Sequence, residues 1–209
     1  MASSAGQLDV IYALDLLGTA AFAASGALVG IRKQMDLLGV IILGLVTATG
    51  GGVLRDVLMH DTPPFCFKNE TYLYLALAVT IIVFVSPRSF EKQRQLMLLL
   101  DALGLGTFLV IGTSKALAFQ MGFLGSVIMG MMTATAGGMI RDVLGNEIPL
   151  ILQREIYASA CAAGGVTLYL LHLAGLPAAV KLPVAALVVI VIRIMALRKG
   201  WQLPKSPAS

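Results

Sequence analysis

Long apolar segments separated by short polar ones run through the whole chain. Segments of about 17 to 25 residues are long enough to cross a hydrocarbon core of about 30 Å as α-helices. Charged residues, prolines or polar turns interrupt the apolar pattern between them. The pattern predicts an all-α integral membrane protein with seven transmembrane helices, at about residues 8–31, 37–59, 71–86, 95–115, 122–144, 155–174 and 177–197.

The composition leaves no room for a soluble domain beside these segments. Of the 209 residues, 58% are hydrophobic and only 12% are charged, whereas roughly a quarter of the residues in an ordinary soluble domain are charged. We therefore interpret residues 1–209 as a single transmembrane domain. The net charge of +4 comes from basic residues scattered at segment ends, which favours orientation of membrane helices over nucleic-acid binding.

The basic residues of the connecting segments predict how the chain crosses the membrane. On the N-terminal side only Lys68 lies within a connection, with Lys115 and Lys181 at segment ends. Basic residues in short loops accumulate on the cytoplasmic side, so the N-terminus is predicted outside and the C-terminus inside. The residues that predict the cytoplasmic side are Arg32, Lys33, Arg88, Lys92, Arg94, Arg154, Arg198, Lys199 and Lys205.

One twelve-residue sequence occurs twice. TATGGGVLRDVL at residues 47–58 returns as TATAGGMIRDVL at 133–144, with nine positions identical and an offset of 86 residues, which also aligns Pro63 with Pro149. Each copy belongs to a group of three predicted spans, and because three is odd the second group crosses in the opposite sense. The pattern predicts an inverted repeat, with repeat one at 8–86, repeat two at 95–174 and an added seventh helix at 177–197.

Both copies place glycines inside a predicted helix, directly after threonines. Glycine costs about 1 kcal/mol relative to alanine in a helix interior, and a glycine run lets a helix bend or open so that backbone groups face water or an ion. Close helix packing through small residues is the alternative. The candidate pore and kink residues are Gly50, Gly51, Gly52, Gly137 and Gly138, with the hydroxyls of Thr47, Thr49, Thr133 and Thr135.

Charged residues within the apolar segments form a second candidate group, because an unpaired charge in lipid costs several kcal/mol. Asp15 shares the predicted outer half with Arg55, and Asp101 shares the inner half with Arg141. We predict one ion pair within each repeat, which either fastens two helices or attracts and gates cations. The candidate gate or clamp residues are Asp15, Arg55, Asp56, Asp101, Arg141 and Asp142, with the two Arg-Asp pairs at the mouths of the path.

The remaining reactive side chains give no support for catalysis. The sequence contains no P-loop, HExxH or serine-elbow motif, and Cys66 and Cys161 lack metal-ligand or redox spacing. Arg193, near the end of the last predicted helix, is expected to extend its guanidinium to the interface. We expect no enzyme activity, no cofactor and no metal beyond transient monovalent cations.

The duplicated motif carries a family resemblance. Seven spans built as three plus three plus one, with the Ala-Thr-Gly-Gly-Gly and Ala-Thr-Ala-Gly-Gly sequences in spans two and five, resemble the prokaryotic branch of the TRIC family, the trimeric intracellular cation channels. Bacterial members are also described as putative glycine transporters. The resemblance covers about residues 8–197. It implies a homotrimer in the cytoplasmic membrane of a prokaryote, with a potassium- and sodium-permeable pore in each subunit, kinked at the glycines.

Three functions are compatible with this pattern. The leading hypothesis is a passive monovalent cation channel, surrounded by membrane lipids and gated at the glycine-kinked helices two and five. A secondary transporter of a small solute such as glycine is the alternative, because inverted repeats with broken helices serve transporters equally well. A structural membrane subunit without transport is the third.

Overall fold

All the regular secondary structure is helical in the part of the chain that the structure, a computed structural model, describes. The structure describes the backbone of residues 2–86, 90–153 and 156–201 and the side chains of residues 10–86, 94–153 and 156–201. Four basic residues used above to predict the topology have side chains outside the described set: Arg88, Lys92, Arg154 and Lys205. The helices are α1 (Ala2–Arg32), α2 (Leu37–Leu58), α3 (Phe65–Lys68), α4 (Thr71–Val85), α5 (Phe90–Ala118), α6 (Phe123–Leu144), α7 (Leu150–Gln153), α8 (Ala158–Leu173) and α9 (Ala178–Lys199).

Five segments of the described chain are long and apolar enough to cross a membrane: Val10–Arg32, Leu37–Leu58, Arg94–Ala118, Phe123–Leu144 and Ala178–Lys199. Helices α4 and α8 are apolar but shorter, with 15 and 16 residues. The all-helical membrane fold predicted from the apolar pattern is therefore confirmed. The two helices that the pattern did not predict, α3 and α7, have four residues each and follow α2 and α6.

The ends of corresponding helices adopt the same backbone conformations. Gln34 and Gln120, which follow α1 and α5, have φ values of 56° and 58°, and His60 and Asn146, which follow α2 and α6, have values of 55° and 53°. Left-handed residues commonly end helices because they turn the chain while satisfying the last carbonyl groups. Each pair is separated by the 86-residue offset of the sequence motif.

Corresponding helices also pack against each other in the interior. Helix α1 contacts α5, and α2 contacts α6. Between α1 and α5 the rings of Phe22 and Phe108 meet edge to face, with centroids 5.1 Å apart. The Phe22 ring lies over Gly104, where an added Cβ would come within 2.1 Å of it. Such close packing supplies dispersion energy where lipid removes the hydrophobic driving force.

Candidate functional site

Two of the predicted pore glycines, Gly51 and Gly137, lie where α2 and α6 pack backbone against backbone. A Cβ added to Gly51 would come within 2.1 Å of the Thr133 carbonyl oxygen, and one added to Gly137 within 2.2 Å of the Thr47 carbonyl oxygen. The contact is reciprocal, because each glycine faces the carbonyl at the start of the partner motif. Both helices are continuous through these glycines. The two glycines allow close packing of α2 against α6, and a bend at them stays a prediction.

The other predicted glycines face side chains instead of backbone. A Cβ at Gly50 would lie 3.0 Å from Ile140 Cδ1, and one at Gly138 would lie 3.1 Å from the Tyr157 hydroxyl. At Gly52 the nearest atoms belong to the Phe65 ring, at 2.3 Å. Flexible side chains can shift where a packed backbone cannot, so the five glycines are not equivalent.

The four predicted threonines are buried, and each hydroxyl donates a hydrogen bond to the carbonyl one helical turn earlier. The donor–acceptor distances are 2.8 Å for Thr49, 2.7 Å for Thr133 and 2.9 Å for Thr135. A hydroxyl oxygen that donates its proton keeps two lone pairs. The hydroxyl oxygens of Thr47 and Thr133 lie against Gly26 of α1 and Gly112 of α5, so it is their backbone carbonyls that face the contact between α2 and α6.

The first Arg-Asp pair ties the end of α2 to the short helix that follows it. Arg55 Nε donates to Asp56 Oδ1 at 2.7 Å, and Asp56 Oδ2 accepts from the backbone N–H of Phe65 at 2.8 Å. The guanidinium also lies over the Phe65 ring, 5.4 Å from its centroid. The pair satisfies a backbone donor at the start of α3, which explains why α3 begins at Phe65.

The second pair makes the same connection in the other half of the chain. Arg141 Nε donates to Asp142 Oδ1 at 2.8 Å, and Asp142 Oδ2 accepts from the backbone N–H of Leu150 at 2.8 Å. Leu150 is the first residue of α7. We call these two arrangements the Arg-Asp clamps, Arg55–Asp56 and Arg141–Asp142.

The ion pair predicted for repeat two is present. Arg141 Nη1 donates to Asp101 Oδ1 at 2.8 Å and also to the Ser25 hydroxyl. The Arg141 and Asp101 side chains are both 0% exposed. One guanidinium therefore joins α1, α5 and α6 within the protein interior.

The ion pair predicted for repeat one is not formed. Asp15 is 8% exposed and lies near the Tyr72 hydroxyl and the Arg55 guanidinium, but among the described side chains no cation lies within ion-pair distance of it. Arg55 pairs with Asp56 instead. Asp56 also pairs with a second cation, Lys115, whose Nζ lies 2.6 Å from Asp56 Oδ1.

Sequence reasoning missed the loop ion pairs at both ends of the helices. Lys115 also pairs with Asp61, which pairs with Lys68. At the position 86 residues later, Glu147 pairs with Arg32 at 2.6 Å and Lys33 at 3.0 Å. The offset between Asp61 and Glu147 could have indicated this correspondence.

Two tyrosines beside the buried aspartates were also missed, because the offset changes after the clamps. Leu150 and Phe65 make equivalent contacts and differ by 85 residues, so Pro64, not Pro63, corresponds structurally to Pro149. An offset of 85 aligns Tyr72 with Tyr157. A one-residue gap in the repeat alignment would have revealed this pair.

Arg193 does not reach the interface as expected. Its side chain is 1% exposed, its guanidinium carbon lies 4.6 Å from the centroid of the Tyr157 ring, and Nη1 donates to the Ile156 carbonyl at 3.1 Å. The expectation of snorkelling was wrong because Tyr157, unrecognised in the sequence, offers an aromatic face inside the protein. Helix α9 thereby contacts the half of the chain that contains Asp101.

The two loop acids are held in the ionised form. Hydrogen bonds from Lys115 and Lys68 lower the pKa of Asp61 to about 2. Burial opposes ionisation of Glu147, but the hydrogen bond from Lys33 and the charge of Arg32 outweigh it, so the pKa of Glu147 is lowered. A lowered pKa in the folded state stabilises the protein above the pKa of the unfolded chain.

Asp61→Asn should lower the thermal unfolding midpoint in detergent by only about 2 °C at pH 7, because Asp61 is partly exposed to water. The difference from wild type should narrow between about pH 4 and pH 2, where the carboxyl group of the folded wild type becomes protonated. Glu70→Gln is the control, since Glu70 accepts a hydrogen bond from the Tyr74 hydroxyl and forms no ion pair among the described side chains. A difference for Asp61→Asn that stays constant over this pH range would contradict the assignment.

The fold and the site together define an all-helical membrane protein whose halves meet at a glycine contact between two clamped helices. The chain matches a family model described as "Glycine transporter" over residues 12–88 and again over 98–173, and it belongs to this family. It is 41% identical over 199 residues to the UPF0126 inner membrane protein YadS of Escherichia coli (strain K12), covering 93% of this chain and 95% of YadS. A UPF0126 membrane protein of Deinococcus radiodurans is 40% identical, covering 91% of this chain and 89% of the relative.

Solved structures of cation channels share the fold. A TRIC trimeric intracellular cation channel orthologue from Rhodobacter sphaeroides superposes with a TM-score of 0.86 at 37% identity, covering 92% of this chain and 99% of that one. A prokaryotic TRIC channel superposes with a TM-score of 0.88 at 32% identity, covering 94% and 100%. The resemblance to the prokaryotic TRIC family is therefore confirmed.

Proposed function

We propose that this protein is a passive channel for monovalent cations, potassium and sodium, with a pore within each subunit. The observation that carries the proposal is the reciprocal contact of α2 and α6. It brings the carbonyl oxygens of Thr47 and Thr133 against the glycines of the partner helix. A small separation of the two helices would open a path lined by carbonyl oxygens, which can replace the hydration shell of a potassium ion.

Gating at these helices follows from the same contact. With α2 and α6 packed backbone to backbone, no space remains for an ion between Gly51 and Gly137. The Arg-Asp clamps hold the ends of both helices to α3 and α7. We therefore expect the glycine segments of α2 and α6 to move while the clamped ends stay fixed, with each helix bending at its glycines.

We also propose that the chain crosses the membrane seven times as an inverted repeat, residues 8–86 and 95–174, followed by the added helix 177–197. The matching helix ends, clamps and pairings of α1 with α5 and α2 with α6 support this arrangement. The basic residues of the connections support an N-terminus outside and a cytoplasmic C-terminus. The trimeric description of the Rhodobacter sphaeroides relative supports a homotrimer embedded in lipid.

Transport of a small solute such as glycine is the second candidate function, because the matching family is described as a glycine transporter. The discriminating experiment is single-channel recording of purified protein in planar bilayers, beside uptake of labelled glycine into liposomes. We expect discrete unitary currents that reverse near the potassium equilibrium potential in a potassium chloride gradient, without saturable glycine uptake. Saturable uptake with no unitary current would exclude the channel.

A further inference from the structure

A cavity of about 440 Å³ lies beside the C-terminal end of α9, away from the glycine contact. Its size falls within the range of small-ligand pockets. The polar side chains that line it are those of Gln95, Arg193, Arg198 and Trp201. None of the described lining residues is acidic, so the cavity favours an anion.

The walls of the cavity are apolar below its charged rim. Leu98 and Leu99 contribute from α5, and Ala196 and Leu197 contribute from α9. A soluble inorganic anion would leave these walls against water. A ligand with an anionic head and an apolar chain satisfies both parts of the lining.

The two arginines take different positions. Arg193 is buried and engaged with the Ile156 carbonyl and the Tyr157 ring, so its guanidinium is held in the wall by contacts within the protein. Arg198 is exposed and forms no ion pair among the side chains that the structure describes. Arg198 is therefore the group at the rim that can bind an anionic head directly, with bidentate hydrogen bonds.

The end of α9 has the features of a membrane–water interface. Gly200, with φ of 63°, ends the helix in the left-handed conformation, and the Trp201 N–H returns to the Ala196 carbonyl at 3.2 Å. This turn holds the indole over the cavity, with Lys199 Nζ 5.5 Å from the centroid of the Trp201 ring. Tryptophan and basic residues concentrate at the level of lipid headgroups.

We propose that this cavity binds an anionic phospholipid, with the phosphate against Arg198 and the first part of an acyl chain along Leu98, Leu99 and Leu197. Basic pockets between membrane helices at the cytoplasmic side are suited to such headgroups. The proposal does not depend on whether the protein conducts ions. It assigns a ligand to a surface outside the proposed ion path.

The test is native mass spectrometry of detergent-purified protein titrated with phosphatidylglycerol or with phosphatidylcholine of the same acyl chains. Wild type should bind phosphatidylglycerol in preference. Arg198→Gln should weaken that binding about fivefold, the effect of one basic residue near a charged headgroup. Lys199→Gln is the matched control. It removes the same charge at the neighbouring residue, whose side chain is outside the cavity lining, and it should have a smaller effect.

A second variant tests the cavity without changing charge. Leu99→Trp places an indole ring at a position that is 43% exposed, so folding should be retained. The ring should fill the apolar part of the cavity, and phosphatidylglycerol binding should fall. Equal losses in Arg198→Gln and Lys199→Gln, or equal binding of the two lipids, would show general surface attraction and overturn the proposal. Displacement of phosphatidylglycerol by millimolar inorganic phosphate would also overturn it, in favour of a soluble-anion site.

Discussion

Gly51→Ala and Gly137→Ala are each expected to destabilise the folded protein by about 3 kcal/mol, at the upper end of the cost of overpacking, and to abolish unitary currents. The added Cβ atoms would lie 2.1 Å and 2.2 Å from carbonyl oxygens of Thr133 and Thr47. These oxygens belong to the backbone of a packed helix and cannot rotate away. Unfolding in mixed micelles and bilayer recording measure the two effects.

Gly50→Ala and Gly138→Ala are the matched controls for this prediction. Their nearest neighbours are the end of the Ile140 side chain at 3.0 Å and the Tyr157 hydroxyl at 3.1 Å, which can shift by a few tenths of an ångström. Alanine also gains about 1 kcal/mol of helix propensity over glycine, so the net change should stay within about 1 kcal/mol. If all four variants behave alike, the backbone contact does not hold the helices together.

The same four variants separate packing from bending. If the controls fold normally but lose current, the glycines are needed for a bend, since alanine stiffens the helix without blocking the contact. If they fold and conduct, close packing at Gly51 and Gly137 is the main requirement. The sequence left these two interpretations open, and the structure distinguishes the positions at which each can be tested.

Asp101→Asn is expected to lower the free energy of unfolding by about 3 kcal/mol, because it removes one of the two carboxylates that balance the buried Arg141 guanidinium. Arg141 would keep its contacts with Asp142 and Ser25 but lose the Asp101 carboxylate 2.8 Å away. Reversible unfolding in mixed micelles measures the change. Adding Arg141→Gln to Asp101→Asn should cost less than the sum of the two single variants, since the interaction between Asp101 and Arg141 can be lost only once.

Asp15→Asn is the control, because it is the equivalent substitution in the other half of the chain. Asp15 has no ion pair among the described side chains, and Arg55 keeps its partner Asp56 at 2.7 Å. The stability loss should therefore be below about 1 kcal/mol. Equal losses for Asp15→Asn and Asp101→Asn would contradict the asymmetry between the two halves.

The repeated sequence predicted the matching backbone arrangement of the two halves better than it predicted which side chains form ion pairs. The positions of the residues within the predicted spans placed Asp15 with Arg55 and Asp101 with Arg141 at similar depths, but depth alone does not choose between neighbouring partners. Lys115 pairs with Asp56 and has no counterpart in the other half, since the position 86 residues before it is Val29. The side-chain partners therefore differ between two halves whose backbone arrangement is repeated.

The positions of the long helices, the glycine motif and its duplication followed from the sequence alone. The length of an apolar segment and the residues that end a helix are local features, so they can be recognised from the sequence alone. The tertiary structure alone decided that Gly51 and Gly137 face carbonyl groups of the partner helix, that Asp15 stays outside an ion pair, and that Arg193 lies over Tyr157. These outcomes depend on competition among groups far apart in the chain, because a buried charge takes whichever partner the packed helices bring nearest.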